Sequence, residues 1–195
     1  MIHAQTLAYN TAIPTISIKD GQAGDAVFCH STGLVGRAIR IGQWIRHFGV
    51  YKTWNHIGWL DEAVTVQGVT VDWKVGQAVS RGVTNTALLS KIAPGGKFEI
   101  VPMTAFPTVV PNDHLAREIL LATLRSQVGV EYGFLTIASI IINILTPKFL
   151  HIDFRAENTW ICSAVYSWGL HSGGGTVTGD VYQRLPAEVA QSADK

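Results

Sequence analysis

The sequence predicts an α+β fold, and three observations carry that expectation. A helix candidate comes early, a middle stretch alternates apolar and polar residues with a period of two, and the second half changes to helical spacing. No internal repeat and no linker-like run divides the chain. Residues 1–195 are therefore expected to form a single domain, with a core over about 20–185 and a flexible C-terminal tail.

Taken in order, Thr15-Ile16-Ser17-Ile18 alternates and reads as an opening strand. The turn cluster Gly21–Asp25 precedes a compact strand, Ala26–Cys29. Leu34–Phe48 places Leu34, Ala38, Ile41, Ile45 and Phe48 near one helix face and Arg37, Arg40 and His47 on another, with Gly49 as its stop. That basic stripe is either a solvated face or a patch that meets an anionic substrate. Trp54–Leu60 is a strand with His56, Gly58 and Leu60 on one side, and Gly58 leaves room beside the imidazole. Asp61-Glu62 reads as a turn or loop. Val64–Val66 and Val69–Val79 then form a hairpin around Gln67-Gly68, with Asp72 and Gln77 in its second arm. Arg81-Gly82-Val83 closes the β region, Leu88–Ile92 is a short helix, and Lys97–Val101 is a further strand.

In the second half, Pro111-Asn112-Asp113 starts a helix that runs to about Val128, stopped by Gly129. The longest apolar run, Phe134–Leu145, is too short to span a bilayer. Thr136, Ser139 and Asn143 give it a narrow polar stripe at roughly helical spacing, so it reads as a core helix, with lipid contact as the alternative. Gly173–Gly175 reads as a flexible loop and Gln183–Lys195 as a surface tail.

Composition narrows the function. Lys and Arg number 15 against 14 Asp and Glu, which disfavours a general nucleic-acid binder. The N-terminal residues lack the basic start and apolar core of a signal peptide, so the cytoplasm is the default expectation. Only two cysteines occur, Cys29 and Cys162, too few for a disulfide scaffold. No metal-ligand spacing, Walker loop or GxGxxG appears, and no metal or cofactor is expected.

One stretch organises the chemistry. In Asn158–Gly169, residues Ile161, Ala164, Val165 and Trp168 share a helix face, Asn158 or Thr159 can cap the start, and Gly169 can close the end in a left-handed conformation. Cys162 then lies in the first turn, where unpaired N–H groups and the helix dipole favour a thiolate. The competing reading is an inert thiol packed beside Trp160. A thiol nucleophile needs a base and a group that orients the base. His56 on a strand, with Gln77 or Asp72 on the neighbouring strand, supplies candidates for both. Cys29 and His30 are adjacent on a strand and point to opposite faces, while His114 reads as surface and His151 and His171 lie near or in loops without a partner pattern.

Gly24-Asp25-Ala26-Val27-Phe28, Asn55-His56-Ile57-Gly58-Trp59 and Trp160-Ile161-Cys162-Ser163-Ala164-Val165, in that order, resemble the circularly permuted NlpC-type papain-like cysteine hydrolases, the YiiX-like group. In that pattern the histidine strand precedes the cysteine helix, as it does here. The resemblance covers about Gly24 to Gly169 and implies a papain-like fold, an antiparallel β core against helices, with Cys162 as nucleophile and His56 as base. It also implies an oxyanion or substrate role for Tyr132, in Tyr132-Gly133-Phe134, and for Ser163. Many permuted members carry a glutamate before Ala and a following Gly-Val pair; here Gln77-Ala78 and Gly82-Val83 occupy that pattern. Gln77 is thus the expected third residue and Asp72 the charged alternative, with a bulge at Gly76 able to change which side Gln77 faces.

The implied activity is acyl transfer from an amide or ester through a thioester, on peptidoglycan peptides or another amide-containing substrate. Two alternatives stand beside it: a lipid acyltransferase or esterase of the permuted group, and a catalytically inactive binding module motivated by the neutral Gln77.

Overall fold

Gln67 and Gly68 take positive φ values of 51° and 77°, which matches the twist of the flanking strands and closes a two-residue hairpin. The computed structural model describes residues 13–30, 36–37, 39–41, 43, 54–107, 113–145, 159–175 and 186–193. Strands β1 (Ala26–Cys29), β2 (His56–Val66), β3 (Val69–Val79), β4 (Gly82–Leu88) and β5 (Phe98–Val101) form an antiparallel five-stranded sheet in the order β4-β3-β2-β1-β5. Helix α1 (Leu89–Ile92) links β4 towards β5. After the sheet come α2 (Asp113–Ser126), β6 (Glu131–Tyr132), α3 (Phe134–Leu145), β7 (Thr159–Trp160), α4 (Cys162–Ser172) and α5 (Pro186–Ala193). The architecture is α+β, an antiparallel sheet packed with helices. No helix among the described residues is long and apolar enough to cross a membrane.

Strand alternation divides the core between the two faces of the sheet. Ala26, Phe28, Ile57, Trp59, Ala78 and Val101 pack with Ala116, Leu120 and Leu124 of α2, Ala164 and Val165 of α4, and Val189 and Ala190 of α5. Val27, Cys29, Leu60, Trp73, Val75 and Ile100 form a smaller cluster with Leu89. Gly76 is glycine because a Cβ there would sit 1.9 Å from the Trp59 ring.

Several expectations change. Asp61-Glu62 is not a turn: β2 runs through it, and a bulge between Leu60 and Glu62 leaves Asp61 out of the ladder. Its carboxylate instead accepts from Arg125 Nε at 2.7 Å and Asn85 Nδ2 at 2.9 Å. The sheet does not end at Val83. Thr84-Asn85-Thr86 hides β4 from an apolar pattern, but β-branched side chains suit a strand. Ile16 makes a single bridge to Ile100 rather than a strand. The expected surface tail is helix α5 over residues 186–193, with Pro186, Ala187, Val189, Ala190 and Ala193 buried. Proline at the first helical position and a small-residue stripe explain it. Gly169 does not close α4, which continues to Ser172. A Cβ at Gly169 would lie 2.8 Å from Leu124, so this glycine lets α2 approach α4, and the left-handed turn falls at Gly174 with φ 81°. Gly173–Gly175 is accordingly a bonded turn rather than a loose loop, with Gly175 N–H donating to Leu170 O at 2.7 Å. Of the helix expected over Leu34–Phe48, residues 36–37, 39–41 and 43 are helical and the remainder lies outside the described residues.

The sheet and helices are joined at Gly24-Asp25. The Asp25 carboxylate, 1% exposed, accepts from Arg117 Nη1 of α2 at 2.7 Å, from the Met103 N–H at 2.9 Å and from the Gln22 N–H at 2.8 Å. Tyr166 of α4 donates its hydroxyl to Gly24 O at 2.9 Å. Removing Arg117 would strand a buried carboxylate. Arg117→Ala is therefore expected to lower stability by about 3–5 kcal/mol, measured by urea unfolding, whereas an exposed charge such as Lys74→Ala should change it by about 0.5 kcal/mol or less.

Candidate active site

Cys162 is the first residue of α4 and His56 the first of β2, so two element ends meet at one end of the sheet. Ile161 occupies the cap position in an extended conformation, φ −101° and ψ 159°, and no side chain caps the helix. Neither cap candidate takes that place: Thr159 belongs to β7, and Asn158 lies outside the described residues. The uncapped first turn leaves its backbone N–H groups available to the sulfur. The N–H groups of Ser163 and Ile57 both support the Cys162 thiolate.

His56 bridges two partners. Its Nε2 lies 2.7 Å from Gln77 Oε1, and the ring also hydrogen-bonds Cys162. The amide oxygen accepts, so Nε2 carries a proton, which leaves Nδ1 to serve the sulfur. Gly58 pairs with Gln77 across the β2–β3 ladder, and a Cβ on it would lie 2.6 Å from Gly76 O, so this glycine lets the β3 backbone lie close to β2 beside the site. The register irregularity near Gly76 lies on the β4 side, between Val75 and Gln77, while β2–β3 pairing stays continuous from Leu60–Val75 to Gly58–Gln77. Gln77 thus keeps the face of His56.

Asp72 is elsewhere. Its carboxylate accepts from the Trp73 N–H at 2.8 Å and from the N–H and hydroxyl of Ser90 at 3.3 and 2.6 Å, so it steadies the start of α1 rather than His56. Strand parity decided between the candidates: residues five apart on one strand project to opposite faces. Tyr132 reaches the site because β6 pairs in parallel with β7, Tyr132 beside Trp160, two residues before Cys162. The Ser163 side chain is buried and does not line the cleft; what this residue brings to the sulfur is its backbone N–H.

Burial opposes charge on both Cys162 and His56, and their mutual attraction overcomes it. The Cys162 thiol is held below its ordinary range by the charge and hydrogen bond of His56, helped by the two backbone N–H groups. The His56 imidazole is raised by Cys162 and by Gln77. The pair therefore favours thiolate and imidazolium. Burial, and then the nearby Cys162 charge, push the Tyr132 hydroxyl up, so it remains a donor at neutral pH.

These residues open into a cleft of about 520 Å³ whose walls include Cys29, Asn55, His56, Gln77, Tyr132 and Cys162. Cys29 was not visible as a site residue in the sequence. The register pairs it with His56, and opposed residues in a ladder share a face. Burial, with the Cys162 charge adding, pushes its thiol up to about 12, so it is inert where Cys162 is ionised. Asn55 donates to Gly36 O at 2.9 Å and ties the helical wall of the cleft to the start of β2. Of the other histidines, His114 is exposed beside Glu118, His171 lies against Trp168, and His151 is outside the described residues. Within the basic stripe, Arg40 faces His30 at 3.1 Å, Arg37 is exposed, and His47 lies outside the described residues. Among the described residues no cluster suited to a metal ion occurs. No protein-family model matches the chain, and no curated protein matches it.

Iodoacetamide is expected to label Cys162 well ahead of Cys29, and His56→Ala to slow that labelling, as read by peptide mass spectrometry. A lowered pKa keeps the sulfur ionised where an ordinary thiol is protonated. Labelling of Cys162 should therefore persist below neutral pH and decline only as pH falls through that lowered value. Equal, slow labelling of both cysteines would contradict the ion pair.

Proposed function

We propose that this chain is a cysteine hydrolase of the amidase or peptidase type, which cleaves an amide or ester through a thioester on Cys162. The observation that carries this reading is the single imidazole held between Gln77 and Cys162 at an uncapped helix start. The order of the histidine strand and the cysteine helix, with their resemblance to permuted papain-like hydrolases, supports it.

The chemistry follows from the ion pair. The Cys162 thiolate attacks the carbonyl carbon, a C–S bond forms, and the carbonyl π electrons move to oxygen. The Cys162 N–H, which has no intrahelical acceptor, and the Tyr132 hydroxyl are the donors for that oxyanion; losing one such donor typically costs about 10²–10³ in rate. As the tetrahedral intermediate collapses, the His56 imidazolium protonates the departing amine or alcohol. Neutral His56, its Nε2–H fixed by Gln77, then takes a proton from water at Nδ1. The resulting hydroxide attacks the thioester, the thiolate departs, and a carboxylic acid is released while the imidazolium re-forms. Gln77 orients the ring without adding a negative charge, so the imidazolium relies on the thiolate for its counter-charge. The neutral Gln77 motivates an inactive binding module as the second reading; the hydrogen bond between His56 and Cys162 favours the hydrolase over it.

Hydrolysis of short p-nitrophenyl esters and peptide anilides tests the reading: Cys162→Ser and His56→Ala should each abolish turnover above background. The profile of kcat/KM should be bell-shaped, rising through the lowered pKa of Cys162 and falling through the raised pKa of His56. Gln77→Ala loses a hydrogen bond to a charged ring, about 1.5–3 kcal/mol, and should lower kcat/KM roughly 10- to 150-fold. Gln77→Glu adds a negative charge that stabilises the imidazolium, and should move the alkaline limb to higher pH. Unchanged turnover in Cys162→Ser would end the proposal.

A further inference from the structure

The walls of the cleft say what lies beside the scissile bond, granted the nucleophile assigned above. Phe134 is the first residue of α3 and sits on the cleft wall. It is 50% exposed, and the adjacent Leu135 is 55% exposed, so the head of this helix presents apolar surface. Its ring meets that of Tyr132 in a T-shaped contact, with centroids 4.8 Å apart and planes at 67°. Ile39, Ala78, Val79 and Ile92 supply the other apolar walls. The polar groups that complete the described lining beside Cys162 and His56 are neutral: Asn55, Gln77, Ser80, the Tyr132 hydroxyl and the Cys29 thiol. Apart from the Cys162–His56 pair itself, no described lining residue carries a full charge.

A carboxylate laid against Phe134, Ile39, Ala78, Val79 and Ile92 would lose hydration without gaining a hydrogen bond or a counter-charge from them. An alkyl or aromatic group would instead remove its own surface and that of Phe134 from water together. We infer that this site selects an uncharged, apolar group next to the carbonyl it attacks, and that Phe134 is the residue that reads it. Substrates bearing a free carboxylate at that position, including acidic peptides, are disfavoured. The volume of about 520 Å³ suits a group of several carbons rather than a methyl alone.

Maleimides test this on the full chain, because they report access to Cys162 without requiring turnover. N-methylmaleimide, N-hexylmaleimide and maleimidohexanoic acid are compared by the second-order rate of Cys162 alkylation, each divided by its rate with glutathione. The hexyl probe should exceed the methyl probe by about tenfold or more, since each buried methylene contributes to binding, and the carboxylate-tailed probe should lose that gain. Phe134→Asp should bring the hexyl-to-methyl ratio close to one, while Phe134→Leu, which keeps an apolar wall, should retain most of it. Equal normalised rates for the hexyl and carboxylate probes, with Cys162 still reacting in a His56-dependent way, would overturn the specificity and leave the hydrolase reading standing. Slow, His56-independent reaction with every probe would overturn both.

Discussion

The Gly24-Asp25 turn holds the sheet to the helices, and the site depends on it. One buried carboxylate accepts from the α2 guanidinium of Arg117 and from the backbone of Met103 beyond β5, while its own carbonyl takes the Leu60 N–H of β2. Tyr166, four residues into α4 from Cys162, reaches the carbonyl of the adjacent Gly24. The helix that carries Cys162 and the strand that carries His56 are therefore anchored to the same two residues. A buried ion pair gains little net stability by itself, but its partners strongly penalise any arrangement that separates them. That penalty favours one placement of α2 and α4 over the sheet.

Given that placement, small residues let the parts come close. Gly169 admits Leu124, Gly76 admits the Trp59 ring, and Gly58 admits the Gly76 carbonyl. Each is a point where backbone, a branched side chain or a large ring would otherwise meet a methyl group, and overpacking of that kind displaces neighbouring elements. A proton-transfer pair works only within hydrogen-bond reach, so these contacts bear on chemistry as well as on stability.

A neutral third residue changes the electrostatics of the site. With Gln77 behind the ring, the imidazolium has one counter-charge, the Cys162 thiolate, and the two ionise as a unit. The backbone N–H groups of Ile57 and Ser163 share the work of holding the sulfur negative. The same cleft presents a protonated Tyr132 and a protonated Cys29, so beyond Cys162 and His56 its described lining is uncharged.

Local pattern carried much of this in the sequence. A turn cluster followed by a compact apolar run marked β1, alternation marked the β2–β3 hairpin, Gln67-Gly68 marked the turn, and α3 ran over the full apolar stretch Phe134–Leu145. Cys162 at a helix start and His56 on a strand could also be read, because each depends on residue type and short-range periodicity, while their expected meeting came from the order of motifs shared with permuted papain-like hydrolases. What depended on partners distant in sequence could not. The bulge at Asp61 exists for Arg125 and Asn85, β4 is a strand because β3 lies beside it, and α5 is buried because the core extends to meet it. The choice of Gln77 over Asp72 and the presence of Cys29 beside His56 followed from strand register, which periodicity leaves open until two strands are laid side by side.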